Sequence, residues 1–193
     1  MGGLLTERLV CSRTVFAGRL LSVRVDEVEL ADGVRTTREV VVHPGAVAIV
    51  PLLHDDGVAM IRQYRHPAGK VLWELPAGTM RPGESPEACA GRELVEETGY
   101  QAGELIRLFA MYPSPGYCTE VIHVFLATRL APAGRGQVPA PRPDRDERVE
   151  VVILTLAEAV AMIADGEVEN AAAVAGLLAA ARVNCSANKE CRQ

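Results

Sequence analysis

Aromatic residues, long apolar runs and basic clusters are all scarce in this chain of 193 residues. Aromatic residues make up only 4% of a sequence that is 49% hydrophobic, so aliphatic side chains must build the core. No apolar run approaches the roughly 18 residues of a membrane span, and Glu7 and Arg8 interrupt any secretory signal at the N-terminus. The net charge is −5 and no basic patch stands out, which argues against binding to a nucleic-acid polymer. We therefore expect one globular domain with at most a small subdomain.

Paired cysteines are also absent. The chain has no Cys-x-x-Cys pair, and its five cysteines lie at positions 11, 89, 118, 185 and 191. An odd number at irregular spacing indicates free thiols, which are typical of a reducing compartment. We therefore expect the protein to be cytoplasmic.

The pattern of apolar residues predicts strands on both sides of one central helix. The predicted strands span residues 20–30, 34–43, 46–53, 58–64, 71–75, 104–111, 120–128 and 149–154. The central helix is expected over residues 86–98, because Ser85 is a suitable N-cap and Gly99 is a suitable residue to end it. Two further helices are expected over residues 156–165 and 170–182.

This order of elements predicts an α/β (α+β) fold in which helices cover both faces of a mixed sheet. A turn signal at Asp32-Gly33 joins the first two predicted strands into an N-terminal β hairpin. We expect residues 1–44 to form a small β subdomain, residues 45–182 to form the main domain, and residues 183–193 to form a flexible tail.

The central helix carries a row of acidic residues along one face. Glu93, Glu96 and Glu97 are separated by three and four positions, so their side chains project from the same side of a helix. Like charges at this spacing destabilise a helix, and only Arg92 is close enough along the helix to offset them. Glu84 adds a fourth carboxylate just before the helix. Clustered carboxylates suit a hard cation such as Mg²⁺, Mn²⁺ or Ca²⁺.

The residues around this acidic face match a longer pattern. Gly78 is followed after five residues by Glu84, and after seven more by the segment Arg92–Gly99, which reads RELVEETG. This spacing resembles the Nudix box, the signature of hydrolases that cleave nucleoside diphosphates linked to another moiety. The resemblance implies a Nudix-type α/β/α sandwich and metal-dependent hydrolysis. Tyr100 departs from the pattern, which more often has an aliphatic residue there, but that position is expected only to pack.

The resemblance also implies which residues hold the metal. Glu93 and Glu97 would bind Mg²⁺ (or Mn²⁺) directly, together with the main-chain carbonyl of Ala77. Glu96 would complete the cluster or hold a second ion. Glutamate and carbonyl oxygens are the ligands that such hard cations prefer.

Further catalytic roles follow from the same resemblance. Arg92 and Glu84 would pair with each other and orient the metal ligands. A glutamate on a loop after the box would activate the attacking water, and Glu147 fits this position, with Asp146 as its main rival. Glu150 follows on a predicted strand, where a structural role is expected.

A turn downstream of the box resembles the ADP-ribose pyrophosphatase branch of the family. Residues 109–117 read FAMYPSPGY, which places Pro115 fifteen residues after Tyr100. A Ser-Pro-Gly turn is rigid and exposes its backbone, so Pro115 and Gly116 would approach the substrate.

Three further residues would bind substrate in that branch. Arg65 would contact the diphosphate or the adjoining ribose, and Arg35 would reach the adenosine end from the partner subunit of a homodimer formed through the N-terminal β subdomain. Arginine suits both tasks because it binds phosphate through two parallel hydrogen bonds and stacks on planar bases. Glu74 is a candidate acceptor for ribose hydroxyls.

The expected reaction is therefore hydrolysis of ADP-ribose to AMP and ribose 5-phosphate. The box itself does not select the substrate, so another nucleotide sugar, an ADP-sugar or GDP-mannose, is the second hypothesis. A third hypothesis, of a different class, is a Nudix-like sensor that binds ADP-ribose without cleaving it. Such regulators usually carry a degenerate box, whereas the box in this chain is intact.

Overall fold

The structure is a computed structural model that describes residues 5–134 and 148–190, with side chains described as far as residue 185. These residues form two units. The smaller unit contains the described residues up to Gly45 together with Tyr112–Val121, and the larger contains Ala46–Met111 and the described residues from Ile122 onward. None of the described helices combines enough length with enough apolar character to cross a membrane.

The smaller unit contains a three-stranded antiparallel sheet in the order β1-β2-β3. The strands span Arg8–Ala17 (β1), Ser22–Glu29 (β2) and Arg35–Val42 (β3). The second and third strands form the hairpin predicted from the sequence, and the first is an additional edge strand that was not predicted. Nine of the ten residues of β1 are exposed. A strand of this kind needs no alternation of apolar and polar residues, and alternation is the signal by which a half-buried strand is predicted.

The larger unit contains a four-stranded sheet in the order β7-β4-β10-β9 and a three-stranded sheet in the order β12-β5-β6. The strands span Ala46–Pro51 (β4), Gly57–Arg65 (β5), Lys70–Glu74 (β6), Ala77–Thr79 (β7), Tyr100–Gln101 (β8), Glu104–Met111 (β9), Ile122–Thr128 (β10), Ala131–Pro132 (β11) and Val149–Thr155 (β12). β4 and β10 run parallel, whereas β7 and β9 pair antiparallel at the edges, so the four-stranded sheet is mixed. β8 and β11 form a separate short pair.

Within the described residues, three α-helices accompany these sheets: Pro86–Thr98 (α1), Leu156–Ala164 (α2) and Ala171–Glu190 (α3). The bounds of α1 are those predicted. Ser85 Oγ accepts a hydrogen bond of 3.2 Å from the Ala88 amide, and Gly99 ends the helix with a left-handed φ of 73°. In contrast, α3 continues eight residues beyond the end predicted at 182, because its alanine-rich sequence contains no proline to stop it.

Helices cover both faces of the four-stranded sheet, as the fold prediction required. On β4, Val47 and Ile49 are fully buried in a cluster with Leu94 of α1. The alternate residues Ala48 and Val50 point to the opposite face, where they pack with residues of α3 and, for Val50, of α2. Successive side chains of a strand point to opposite faces, so a strand buried on both sides is an almost continuous apolar run. The α/β/α arrangement is thus confirmed.

Candidate active site

The carboxylate of Glu97 is held against the strand that precedes α1. Its Oε2 atom accepts a hydrogen bond of 2.9 Å from the backbone amide of Ala77, and the residue is only 8% exposed. Ala77 begins β7, which pairs antiparallel with β4 through Ala48. The packing of α1 against β7 therefore brings the backbone of the predicted metal ligand Ala77 to the predicted metal ligand Glu97.

Glu93 packs equally closely on the same strand. A Cβ atom built on Gly78 would lie 2.0 Å from both the carboxyl carbon and Oε1 of Glu93, far inside van der Waals contact. Only glycine leaves room for this carboxylate against the backbone. The first residue of the sequence pattern thus has a steric role that follows from the position of Glu93.

The guanidinium of Arg92 connects the remaining carboxylates. It forms a fork with Glu84, through Nε to Oε1 at 2.8 Å and Nη2 to Oε2 at 2.9 Å. Its Nη1 atom donates to Glu93 Oε1 at 2.6 Å and to Glu96 Oε2 at 3.0 Å. Glu84 also accepts a hydrogen bond of 2.9 Å from the backbone amide of Arg81. The predicted pair of Arg92 and Glu84 is therefore present and reaches two of the predicted metal ligands.

These contacts shift the protonation equilibria of the cluster. Hydrogen bonds from Arg92 lower the pKa of Glu84 to about 2, and the bond with Glu84 is in turn the largest cause that raises the pKa of Arg92. Burial raises the pKa of the neighbouring Cys89 thiol to about 12, so this cysteine stays protonated and packs as a small apolar residue.

The donor set matches the chemistry of a hard divalent cation, since Glu93, Glu96 and Glu97 supply carboxylate oxygens from one helix face. Their side chains do not converge as a ready-made cluster: within the described residues, no three His, Cys, Asp or Glu side chains are close enough together to hold a metal ion. The hydrogen bonds explain this, because Glu93 and Glu96 turn toward Arg92 while Glu97 turns toward Ala77.

Arg65 and Glu74 meet across two neighbouring strands of the three-stranded sheet. Arg65 Nε donates to Glu74 Oε1 at 2.9 Å, and Nη2 donates to Oε2 at 2.6 Å. Glu74 is 2% exposed, whereas the Arg65 side chain is 40% exposed. The structure thus brings together two residues that the sequence analysis assigned separately to substrate binding.

Two further predicted substrate contacts lie in the smaller unit. The side chain of Arg35 on β3 is 56% exposed and pairs with Glu29 at 3.2 Å and Glu27 at 3.4 Å. Pro115 and Gly116 lie in a turn closed by hydrogen bonds from the amides of residues 117 and 118 to the carbonyl of residue 114, at 3.2 and 2.9 Å. The predicted base Glu147 and its rival Asp146 lie outside the described residues.

Comparison with known families identifies the chain. Residues 42–176 match the NUDIX domain, and residues 7–41 match the nucleoside diphosphate sugar hydrolase N-terminal domain. The chain belongs to the Nudix family. The Nudix domain includes β4 through the first part of α3, and the second match covers β1 and β2 and most of β3.

The sequence of this Nudix protein aligns with the sequences of individual relatives over most of their length. It is 39% identical to an ADP-ribose pyrophosphatase of Bacillus subtilis (strain 168) over 86% of the chain and 88% of the relative. It is 39% identical to a methanol dehydrogenase activator of Bacillus methanolicus over 84% of the chain and 86% of the relative. A GDP-mannose pyrophosphatase of Klebsiella pneumoniae is 37% identical over 77% of each chain. The solved structure of an ADP compounds hydrolase superposes with a TM-score of 0.80 at 28% identity, over 93% of this chain and 94% of that one.

The structure also adds a residue that the sequence analysis missed. Besides its amide bond to Glu84, Arg81 brings its Nη2 atom to 3.7 Å from Glu96 Oε1. Arg81 lies between Gly78 and Glu84 at an unconstrained position of the Nudix pattern, so no sequence signal marked it.

Proposed function

We propose that this Nudix hydrolase is an ADP-ribose pyrophosphatase, which hydrolyses the diphosphate of ADP-ribose to AMP and ribose 5-phosphate. The observation that carries the proposal is the complete set of Glu93, Glu96 and Glu97 on α1, with Glu97 held by Ala77 and the other two by Arg92. The similarity to an ADP-ribose pyrophosphatase over 86% of the chain supports the choice of substrate.

Hydrolases of this family generally require a divalent metal ion, and we propose Mg²⁺, with Mn²⁺ as the substitute. Glu93, Glu97 and the main-chain carbonyl of Ala77 would hold it, and Glu96 would complete the set. Such an ion neutralises phosphate charge and lowers the pKa of a bound water. Arg92 would offset the negative charges of Glu93 and Glu96. Because Glu84 holds its guanidinium in place, Arg92 would stay beside these two residues when their oxygens bind the ion.

For the chemical step, we propose Glu147 as the general base, with Asp146 as the alternative. The base takes a proton from the attacking water as its oxygen forms a bond to one phosphorus of the diphosphate. The bond from that phosphorus to the bridging oxygen breaks, so the charge of the leaving phosphate must be stabilised nearby. Both residues are predicted from the sequence, and site-directed variants must decide between them.

Substrate binding is assigned to two arginines and one turn. Arg65 would contact the diphosphate or adjoining ribose, and Pro115 and Gly116 would approach the substrate through their backbone. Arg35 would reach the adenosine end from a partner subunit. Its ion pairs with Glu27 and Glu29 are exposed, and exposed pairs contribute little stability, so a bound nucleotide can replace them at small cost.

We further propose a homodimer formed through the N-terminal β subdomain. β1 leaves Leu9 and Phe16 more than half exposed, and Val15 is 45% exposed. Exposed apolar residues concentrated on one strand are typical of a protein–protein contact. The mass in solution, measured by light scattering, tests this: a monomer at micromolar concentration contradicts it, and Phe16→Glu should shift a dimer toward monomer.

A cytoplasmic location is proposed from the cysteines. Cys11, Cys89, Cys118 and Cys185 are all free in the part of the chain that the structure describes. Free thiols persist where glutathione and thioredoxin keep the compartment reduced. Fractionation of cells that express the protein would check the location.

GDP-mannose is the second candidate substrate, because a GDP-mannose pyrophosphatase is 37% identical over 77% of the chain. It is less favoured because that similarity covers less of both chains than the similarity to the ADP-ribose pyrophosphatase. A sensor that binds without cleaving is disfavoured by the complete carboxylate set on α1.

A substrate panel decides among these candidates. The purified protein with Mg²⁺ is given ADP-ribose, ADP-glucose, GDP-mannose and NADH, and the nucleotide products are separated by chromatography. The proposal predicts that AMP forms fastest from ADP-ribose and that EDTA stops its release. Faster release of GMP from GDP-mannose would support the second candidate. Tight binding of ADP-ribose without AMP release would support the sensor.

A further inference from the structure

The buried carboxylate of Glu74 has no part in the chemistry proposed above. It lies at the end of β6 and is 2% exposed, while the Arg65 side chain at the end of β5 keeps 40% of its surface exposed. Burial of a carboxylate is unfavourable unless its charge is paired, and an aliphatic side chain would fill the same space at less cost. The presence of a charge at this position therefore indicates a task that an aliphatic residue cannot perform.

The geometry of the pair restricts the orientation of Arg65. The two hydrogen bonds, 2.9 Å from Nε and 2.6 Å from Nη2, form a side-on fork with the two oxygens of Glu74. A fork of two parallel bonds fixes both the position and the plane of a guanidinium, whereas a single bond leaves it free to rotate. The fork uses Nε and Nη2, so Glu74 binds the side-on edge of the guanidinium group.

The backbone connects this pair to the carboxylates of α1. Three residues after Glu74, the Ala77 amide donates its 2.9 Å hydrogen bond to Glu97. Between them, Leu75 is 1% exposed, and the Pro76 carbonyl accepts a hydrogen bond of 2.8 Å from the Ile49 amide. One short, anchored segment thus carries both the acceptor that orients Arg65 and the donor that orients Glu97.

We propose that Glu74 is a positioning residue, which orients Arg65 toward the diphosphate and fixes its position relative to the metal-binding carboxylates. This inference rests on the proposed role of Arg65 in diphosphate binding. It replaces the ribose contact that the sequence analysis expected for Glu74, because both oxygens of this buried carboxylate bind Arg65. Charge-assisted hydrogen bonds lose their effect when one partner is neutralised, so the orientation of Arg65 depends on the charge of Glu74.

A double-mutant cycle on ADP-ribose hydrolysis tests the proposal. The kcat and KM of the wild type, Glu74→Gln, Arg65→Ala and the double variant are measured with saturating Mg²⁺. We expect Glu74→Gln to raise KM by about 10- to 100-fold and to change kcat by less than about threefold. In the Arg65→Ala background, Glu74→Gln should lower kcat/KM by less than about twofold, since a positioning residue has no effect without the residue that it positions.

Other results would overturn the proposal. If Glu74→Gln lowers kcat/KM as strongly in the Arg65→Ala background as in the wild type, Glu74 contacts the substrate itself. If it lowers the melting temperature but leaves KM unchanged, the pair only stabilises the sheet. If Glu74→Gln does not fold, Arg65→Lys decides, because lysine keeps the charge but cannot form the fork. A wild-type KM in that variant would contradict the inference.

Two controls separate this inference from the proposed function. Glu150→Gln removes a carboxylate that pairs with Arg62 at 3.1 Å on the same sheet but is 64% exposed, and it should leave both KM and kcat unchanged. If the wild type does not cleave ADP-ribose, the proposed function fails, and the cycle is repeated with whichever nucleotide sugar of the panel is cleaved. Coupling between residues 65 and 74 on that substrate would still support the positioning role.

Discussion

Gly78 lies so close to the Glu93 carboxylate that a methyl group on its α-carbon would come within 2.0 Å of Glu93 Oε1. Gly78→Ala should therefore displace this carboxylate and lower activity by roughly 10²-fold, the effect of a misplacement of about 1 Å in an active site. The free energy of unfolding should change little, because the side chain of Glu93 can rotate away. Metal-dependent AMP release and urea unfolding measure the two effects.

Gly91 offers the matched control for that substitution. It lies inside α1, and nothing is within 4 Å of the Cβ that alanine would add. Gly91→Ala should stabilise the protein by about 0.5–1 kcal/mol, the usual gain from replacing glycine in a helix interior, and leave activity unchanged. Equal activity in the two variants would contradict the steric role of Gly78.

Glu97→Gln should abolish metal-dependent turnover without unfolding the protein. The amide keeps the shape of the side chain and can still accept the hydrogen bond from Ala77, but it loses the negative charge that a divalent cation requires. AMP release is measured across a Mg²⁺ titration, with circular dichroism as the test of folding. Glu87→Gln, on the first turn of the same helix, is the control, and near-normal activity of Glu97→Gln would refute its role as a metal ligand.

The fork between Arg92 and Glu84 predicts a loss of stability in acid. The pKa of Glu84 falls from 4.5 to about 2 on folding, so its contribution is fully present above about pH 4.5 and is lost as the pH falls toward 2. After allowance for screening by solvent, the contribution is about 1–2 kcal/mol. Urea unfolding is measured at several pH values. Between pH 4.5 and 2, the free energy of unfolding of Glu84→Gln should depend less on pH than that of the wild type. If the slope of the free energy of unfolding against pH is the same in both proteins, this pair does not cause the loss of stability in acid.

Gly176→Ala should destabilise the protein even though alanine favours a helix. Its Cβ would lie 2.6 Å from Cδ1 of Leu75 and 3.2 Å from Cγ2 of Val50, both of which are fully buried. Overpacking of a core costs about 1–3 kcal/mol and exceeds the gain in helix propensity of about 1 kcal/mol. We expect the urea midpoint of Gly176→Ala to be lower than that of the wild type and the midpoint of Gly91→Ala to be higher.

The water-activating base can be identified by comparing two variants. Glu147→Gln should lower kcat by roughly 10²–10⁴, the usual effect of losing a general base, while KM stays near its wild-type value. Asp146→Asn serves as the matched variant, because it removes the adjacent carboxylate. If only Asp146→Asn lowers kcat to this extent, Asp146 is the base and the sequence assignment is displaced by one residue.

The sequence by itself determined the features that local chain geometry controls. A helix repeats every 3.6 residues, so the spacing of Glu93, Glu96 and Glu97 was enough to place them on one face. The capping residues Ser85 and Gly99 predicted both ends of that helix correctly, because caps act within a few residues of the terminus. The Nudix family, the α/β/α fold and the hydrolase class followed from the same local pattern and are confirmed.

The tertiary structure alone decided which distant residues meet. The amide of Ala77 reaches Glu97 across twenty positions because α1 packs on β7, and Glu74 meets Arg65 across nine because β5 and β6 pair. Pairing and register depend on which strands become neighbours, and the sequence of a single strand does not record this. The exposed edge strand β1 was missed for a related reason, since a strand with almost no buried residues carries no alternating pattern.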